Sequence, residues 1–240
     1  LMGTALEDMQ AAIKETYGMI LMTGPTGSGK STTLYAMLKI LNSEERNIIT
    51  LEDPIEYNIE GLNQSQIKPE IGYTFASGLR TILRQDPNVI MVGEIRDTET
   101  AELAVHAALT GHLMFSTLHT NTAIGAIPRL IDMGIEPFLL SSSLRLVMAQ
   151  RLVRRICEHC KEEVQMSESL KTKVMKEIEN ISKEELKKYD LDVSKDINFS
   201  RGKGCDECNG TGLKGRLAIF EAVRLTEAMK NVIIEKRGNE

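Results

Sequence analysis

The chain has 240 residues, of which 42% are hydrophobic and 26% are charged, so it can bury the core of a large α/β domain and carry a small appendage. Its formal net charge of -5 argues against a general nucleic-acid binder. It contains no apolar run near the roughly 18 residues of a membrane-spanning helix and opens with no basic-then-apolar leader, so we expect a soluble intracellular protein.

Short apolar strands alternate with helical patterns along the first part of the chain, which indicates right-handed crossovers and a mostly parallel sheet. Asp97 or Thr98 can cap the helix that Gly111 ends, and Asp86-Pro87 stops the helix before it. The predicted strands are 18–23, 48–51, 89–92 and 113–117, and the predicted helices are 30–41, 76–85, 98–109, 123–133 and 137–150.

The composition changes after Arg155, because 161–204 is rich in Lys, Glu and Ser. A helical stripe of Leu170, Val174, Ile178 and Ile181 crosses this part, and 182–185 has the pattern of a capping box. A strand at 217–220 and a helix to about 236 then close the chain. We therefore divide it into an α/β core (1–155), a Cys-containing module with a helical excursion (156–216) and a closing strand and helix that return to the core (217–240).

Residues 24–31 have the phosphate-loop pattern Gly-x4-Gly-Lys-Ser between an apolar strand and a helix. Glycines let successive backbone N–H groups point at phosphate, and Lys30 supplies a charge for the β and γ phosphates. The Ser31 hydroxyl is a ligand for Mg²⁺, and the helix aims its positive end at the anion. We assign nucleotide binding to Gly24, Pro25, Thr26, Gly27, Ser28, Gly29, Lys30, Ser31 and Thr32.

Two glutamates end neighbouring predicted strands, where ligands of parallel sheets bind. Glu94 follows strand 89–92 and can hold Mg²⁺ or polarise the attacking water, and Glu52 takes the equivalent place after strand 48–51. The sequence leaves open which of Glu52 and Glu94 is the general base. An ordinary solvated carboxylate is the alternative for each.

Histidines and arginines complete the candidate catalytic set. His119 lies just past the carboxyl end of strand 113–117, where a γ-phosphate sensor can stand, and His112 precedes that strand. His106 lies in mid-helix, and we expect it to pack in the core. Arg96 is a candidate phosphate or neighbouring-subunit contact, as are Arg80 and Arg84; surface ion pairing is the alternative for all three.

Four ordered segments resemble one family, the secretion ATPases of type II secretion and type IV pilus systems. They are the phosphate loop (24–32), an acidic box (50–56), a second acidic motif (93–97) and a histidine box (110–120). The resemblance runs from about 17 to 155 and implies a RecA-like core, a hexameric ring with ATP bound between protomers, and hydrolysis that drives assembly of a pilus or pseudopilus. Family members also carry an N-terminal domain that closes over the nucleotide, and we expect it upstream of Leu1.

All four cysteines lie in two CxxC pairs, Cys157/Cys160 and Cys205/Cys208, which is ligand spacing for a structural, tetrahedral Zn²⁺ site. A redox pair and free core thiols are the disfavoured alternatives. His159 lies between two ligands and is predicted to be a bystander.

Such Cys pairs are similar to those of the assembly branch of the family, whereas retraction ATPases lack them. The resemblance implies a cytoplasmic enzyme, peripheral at the inner membrane, that uses ATP, Mg²⁺ and Zn²⁺ and engages an inner-membrane platform protein or the cytoplasmic domain of a membrane protein. The cluster of Arg151, Arg154 and Arg155 is a candidate contact for that partner or for anionic lipid, with solvated charge as the alternative.

The main hypothesis is therefore a Mg-dependent ATPase that powers pilus or pseudopilus assembly. A nucleotide-binding switch with negligible turnover is the alternative, because part of the active site is expected upstream. A DNA-translocating relative is a third possibility, which the acidic net charge disfavours.

Replacing Lys30 with Ala is expected to abolish tight ATP binding, because the charge on the β and γ phosphates is lost. Titration with a fluorescent ATP analogue measures this, and an unchanged affinity would refute the phosphate-loop assignment.

Overall fold

The computed structural model describes residues 3–165, 167–181, 186–187 and 199–235. By its internal contacts the chain divides into two compact units, Leu1–Arg151 with Ala218–Glu240, and Leu152–Leu217. The helices are α1 (Gly3–Ala12), α2 (Lys30–Leu41), α3 (Phe75–Ile82), α4 (Thr98–Leu109), α5 (Ala126–Asp132), α6 (Pro137–Ser143), α7 (Glu168–Glu179) and α8 (Glu227–Ile234). The strands are β1 (Gly18–Thr23), β2 (Ile48–Glu52), β3 (Asn63–Gln66), β4 (Val89–Val92), β5 (Leu113–Leu118), β6 (Leu144–Ile156), β7 (Lys161–Val164), β8 (Phe199–Gly202) and β9 (Leu213–Arg224).

The larger unit is built on a seven-stranded sheet in the order β3-β2-β4-β5-β1-β6-β9. Every neighbouring pair from β3 to β6 is parallel, as the alternation of strands and helices predicted. The four strands expected at 18–23, 48–51, 89–92 and 113–117 are β1, β2, β4 and β5, and all of their residues are buried. The prediction of an α/β fold with a mostly parallel sheet is confirmed.

Two apolar cores cover the two faces of this sheet, because neighbouring strand residues point to opposite sides. On β1, Met19 and Leu21 belong to the core with the apolar residues of α3, α4, α5 and α6. Ile20 and Met22 belong to the other core, which contains the buried residues of α1 and α2. The helices on both faces leave the ends of the strands as the open edges where a ligand can bind.

The expected helix at 137–150 is wrong in its second half. Helix α6 ends at Ser143, and Leu144 begins the buried strand β6 beside β1. Val147 packs in one core and Met148 in the other, so this strand is apolar on both faces. It therefore lacks the alternating polarity that distinguishes a strand from a helix in the sequence.

Other differences concern element ends and polar segments. Helix α3 spans Phe75–Ile82 rather than 76–85, α5 spans Ala126–Asp132 rather than 123–133, and β9 is longer than the expected strand at 217–220. Helix α1 and the polar strands β3, β7 and β8 carry no strong apolar pattern and were not expected. The capping box at 182–185 lies outside the described residues, as does 236.

Of the two predictions for helix α4, the one for its N-cap is confirmed and the one for His106 is wrong. Asp97 is the N-cap, since its carboxylate accepts the Thr100 N–H at 2.8 Å, as expected. His106 is exposed, so the expectation that it packs in the core is wrong.

The smaller unit contains the antiparallel ribbon of β7 and β8 together with both cysteine pairs. Helix α7 lies in this unit and contains the expected stripe residues Leu170, Val174 and Ile178. None of the residues of α7 is buried. Among the residues described for the whole chain, no helix combines the length and the apolarity needed to cross a membrane.

Candidate nucleotide site

Strand register brings the candidate residues to one edge of the sheet. Thr23 pairs with Leu118, Val92 with Ser116, and Leu51 with Val92, so the carboxyl ends of four parallel strands lie at nearly the same level. The Ser116 hydroxyl fixes this edge further by donating to the Val92 carbonyl at 2.7 Å. The residues that end or directly follow these strands are Gly24, Glu52, Gly93, Glu94 and His119.

The phosphate loop leaves β1 at Gly24 and enters α2 at Lys30. Gly24, Gly27 and Gly29 have φ values of 131°, 75° and 87°, a region that strongly favours glycine. A Cβ at Gly24 would also lie 2.3 Å from the carbonyl oxygen of Gln150. The tight turn therefore presents the free N–H groups at the start of α2 to an anion.

The ammonium group of Lys30 lies on the loop itself. Its Nζ donates to the carbonyl oxygens of Gly24 and Pro25, each at 3.0 Å. Burial lowers the pKa of Lys30, and the charge of Glu94 opposes that shift. Lys30 at the start of α2 and Glu94 after β4 are thus electrostatic neighbours at the same edge.

Gln150 packs against the phosphate loop, a contact that the sequence did not predict. It lies on β6 and is only 3% exposed, and its Oε1 accepts the Thr33 hydroxyl at 2.7 Å. Its Nε2 would lie 2.9 Å from a Cβ at Gly29. A single glutamine after an apolar run carries no sequence signal, since only the pairing of β6 with β1 places it under the loop.

Glu94 lies at the centre of a charged cluster. It forms an ion pair with Arg96, and its Oε2 lies 3.2 Å from Nε2 of His119. Nη2 of Arg96 also lies 3.5 Å from Oδ2 of Asp53 in the acidic box. Burial works to raise the pKa of Glu94, but Arg96 and His119 outweigh it and hold that pKa below its usual range. Glu94 is therefore an ionised, partly exposed carboxylate beside the phosphate loop.

Glu52 has a different environment, although it ends the neighbouring strand. It is 4% exposed, and three side chains donate to its carboxylate. The donors are the Tyr35 hydroxyl, the Thr50 hydroxyl at 2.6 Å and the Gln64 amide at 2.9 Å. Burial and the carboxylate of Glu52 raise the pKa of Tyr35 well above its usual range, so the phenol keeps its proton and remains a donor.

The remaining predicted residues are His112, Arg80 and Arg84. His112 precedes β5 and accepts the Gly18 N–H through its carbonyl, so it lies at the opposite edge, roughly 20 Å from His119 along the strand. Within this chain the structure does not bring His112 to the site. Arg80 pairs with Glu99, and Arg84 is exposed.

The acidic box contains two further carboxylates, whose environment differs from that of Glu52. Asp53 and Glu56 are exposed, whereas Glu52 is buried. Their spacing in the sequence gives no sign of this difference. Asp53 and Glu56 are thus the carboxylates of this box that solvent reaches.

The four cysteine sulfurs form a compact cluster within 4.8 Å of one another. The distances are 3.9 Å for Cys157–Cys205, 3.8 Å for Cys160–Cys208 and 3.7 Å for Cys205–Cys208. Four sulfurs bound tetrahedrally to zinc at about 2.3 Å would stand about 3.8 Å apart. The cysteine geometry therefore fits a zinc ion.

Backbone N–H groups point at these sulfurs, as they do in metal-binding knuckles. Gly204 donates to Cys160 at 3.3 Å, and Gly212 donates to Cys208 at 3.1 Å. Burial works to raise the pKa of the Cys208 thiol, but the N–H groups of Cys205 and Gly212 outweigh it and lower that pKa to about 6. Cys208 thus favours the thiolate form that a metal requires, whereas burial raises the pKa values of the Cys160 and Cys205 thiols.

The whole chain was also compared with known proteins. Residues 2–240 match the family described as "Type II/IV secretion system protein". The chain belongs to this family. The four ordered motifs and the parallel sheet therefore identified the family and the fold correctly.

Curated relatives and solved structures agree with this assignment. The chain is 52% identical over 234 residues to the type II secretion system ATPase E of Vibrio cholerae serotype O1, covering 98% of this chain and 44% of that protein. It is 49% identical over 225 residues to the type IV pilus assembly ATPase PilB of Myxococcus xanthus, covering 93% and 37%. The crystal structure of the pilus retraction motor PilT with bound ADP matches with a TM-score of 0.67 and 33% identity, covering 99% of this chain and 55% of that one.

The chain thus spans less than half the length of these two curated relatives. The RecA-like core predicted from the motifs is confirmed by the likeness to the retraction motor.

Two glycines of the phosphate loop offer a matched stability test. Gly27→Ala is expected to cost about 1–2 kcal/mol, because only its positive φ is strained and no atom lies within 4 Å of the added Cβ. Gly24→Ala is expected to cost about 1–3 kcal/mol more, because its Cβ meets the Gln150 carbonyl. Urea unfolding of both variants measures the difference, and equal losses would contradict the packing of the loop on β6.

Proposed function

We propose that this chain binds and hydrolyses ATP at the carboxyl edge of its parallel sheet and that hydrolysis powers assembly of a type IV pilus or type II secretion pseudopilus at the bacterial inner membrane. One observation carries the enzymatic part of the proposal: strand register brings the phosphate loop, Glu94 and His119 together. The names of the relatives, a type II secretion ATPase and a pilus assembly ATPase, support the biological part.

The chain's own residues have distinct tasks in this proposal. The loop N–H groups and Lys30 bind the phosphates, and Ser31 and Glu94 would hold Mg²⁺, which would neutralise charge on the β and γ phosphates. His119 contacts Glu94 and stands where it can sense the γ-phosphate. Arg96 holds Glu94 ionised, since their ion pair lowers the pKa of that carboxylate.

The two acidic strand ends receive different roles. Glu94 is partly exposed and lies beside Lys30, so it can orient the attacking water or accept its proton. Three protein side chains donate to Glu52, and its burial leaves it little access to a water molecule. We therefore assign Glu52 to positioning rather than to proton transfer.

Glu94→Gln is expected to lower turnover by about 100-fold or more while ATP affinity falls by less than about tenfold, because the change removes the base and the charge of one proposed Mg²⁺ ligand but leaves the loop and Lys30 to bind the phosphates. Glu52→Gln is expected to lower the free energy of unfolding by about 1–3 kcal/mol, because the new amide cannot accept all three donors. Phosphate-release assays and urea unfolding on both variants measure this.

The same series includes Glu56→Gln, because Glu56 is an exposed carboxylate of the acidic box. Loss of turnover in that variant, with Glu94→Gln fully active, would move the base role to Glu56. A stable and slow Glu52→Gln variant would return Glu52 to the catalytic set.

The proposed enzyme works as a homohexamer with ATP between protomers, engaging an inner-membrane platform protein or the cytoplasmic domain of a membrane protein. Two of the clustered arginines already have partners within the chain. Arg151 donates to the Asn121 carbonyl at 3.3 Å, and Arg155 pairs with Glu158 at 3.5 Å. The exposed Arg154 is thus the more available contact for a partner.

Steady-state phosphate release from ATP, with Mg²⁺ and with EDTA, tests the enzymatic proposal. The same assay is run on a longer chain that covers more of the relatives' length. We expect Mg-dependent turnover that rises in the longer chain. Equal, near-zero rates in both would instead support a nucleotide-binding switch.

We also propose that the four cysteines hold one structural Zn²⁺, with all four positions of the tetrahedron filled by protein. The sulfur spacing and the N–H donors described above support this, as does the fit to a Zn–S distance of about 2.3 Å. Such a site would crosslink the two knuckles of the smaller unit. It would leave no coordination position open for catalysis.

Metal analysis of the purified chain is expected to find about one zinc per chain. Cys160→Ser should lose the metal because one thiolate ligand is removed, while His159→Ala should retain it because His159 is not in the sulfur cluster. Zinc-free protein whose two knuckles remain folded would contradict the assignment, as would loss of zinc in His159→Ala.

A further inference from the structure

The phenol of Tyr35 links two parts of the nucleotide site that the sequence presents as separate motifs. Tyr35 lies on α2, directly below the phosphate loop, and its ring is fully buried. Its hydroxyl donates to the Glu52 carboxylate and accepts the backbone N–H of Glu56 at 3.3 Å. The Tyr35 hydroxyl oxygen therefore contacts the acidic box at two residues, Glu52 and Glu56.

Helix geometry places this link under the proposed magnesium ligand. Ser31 and Tyr35 are four residues apart on α2, so they lie on the same face, one turn above the other. A shift of the acidic box relative to α2 would stretch both hydrogen bonds of the phenol. The phenol therefore fixes the distance between the first turn of α2 and the box.

The other contacts of the phenol ring hold it in one orientation. The Tyr57 ring meets it edge-to-face, with ring centroids 4.6 Å apart and an interplanar angle of 82°. Nζ of Lys39 lies over the Tyr57 ring, 5.4 Å from its centre. Phenylalanine would fill the same volume, so a core that required only packing would not need the hydroxyl.

The Tyr35 hydroxyl and the other donors contact different oxygen atoms of Glu52. Thr50 and Gln64 both donate to Oε1 of Glu52, whereas Tyr35 donates to Oε2. Among the hydrogen bonds described, the donor to Oε2 of Glu52 is thus Tyr35. Removing it would leave a buried carboxylate oxygen without this partner, and the strand end would shift to recover one.

We propose that Tyr35 is a positioning residue for ATP hydrolysis, which holds the acidic box in register with the first turn of α2 through Glu52 and the Glu56 N–H. This inference rests on the proposed ATPase function. Tyr35 touches neither nucleotide nor water in this account, and it acts through the placement of the exposed carboxylates Asp53 and Glu56.

The test compares Tyr35→Phe with Tyr57→Phe, which removes a neighbouring hydroxyl but keeps the same ring pair. Hydrogen exchange is measured by mass spectrometry on peptides covering 53–57, and turnover is measured on the same preparations. Tyr35→Phe should exchange faster in that segment, because the Glu56 N–H loses its acceptor. It should also lower kcat by about tenfold with KM within about twofold, because binding contacts stay and placement changes. Tyr57→Phe should match the wild type in both.

A second comparison shows whether Tyr35 acts through Glu52. In a Glu52→Gln background, adding Tyr35→Phe should lower kcat by clearly less than in the wild type, since the contact with the Glu52 carboxylate is already altered and only the Glu56 N–H contact is newly lost. An undiminished loss of about tenfold would show that Tyr35 does not act through Glu52. Wild-type exchange and kcat in Tyr35→Phe would overturn the inference, and so would a large rise in KM. Absence of turnover in both this chain and the longer chain, with exchange changed as expected, would overturn the proposed function and leave the anchoring role standing.

Discussion

The register of the parallel sheet is the constraint on which the site depends. β1, β2, β4 and β5 run in one direction and end at nearly one level. The pairing of the strands therefore brings residues that are far apart in the sequence to the same edge of the sheet. A slip by one residue would turn every side chain of a strand to the other face and separate Glu94 from the phosphate loop. The two apolar cores on the two faces prevent that slip.

Burial then divides the acidic residues at this edge. Glu52 is enclosed and accepts hydrogen bonds from buried and partly buried side chains, whereas Glu94 pairs with the exposed guanidinium of Arg96. A buried carboxylate with fixed donors rigidifies its surroundings, while a partly exposed one can exchange its partners. The same chemical group is therefore enclosed by fixed donors on one strand and open to solvent on the next, which is the basis for the two roles that we propose.

Much of this arrangement could be predicted from the sequence, because the phosphate loop and the strand ends have fixed spacing rules. The contrast between Glu52 and Glu94 could not, since it depends on Tyr35 from α2 and Gln64 from β3, and neither residue type signals a contact. The strand at Leu144–Gln150 was mistaken for a helix because it is apolar on both faces. His112 and His119 were both predicted because they flank strand 113–117, and β5 holds them at opposite ends of that strand.

The central claim is that the carboxyl edge of the sheet recognises the terminal phosphates of a nucleotide. Calorimetric titration with ATP, ADP and AMP in the presence of Mg²⁺ tests it most directly. ATP and ADP should both bind, and AMP should bind at least about 100-fold more weakly, because it lacks the phosphates that Lys30 and the loop N–H groups contact. Equal affinities for AMP and ATP would contradict the account.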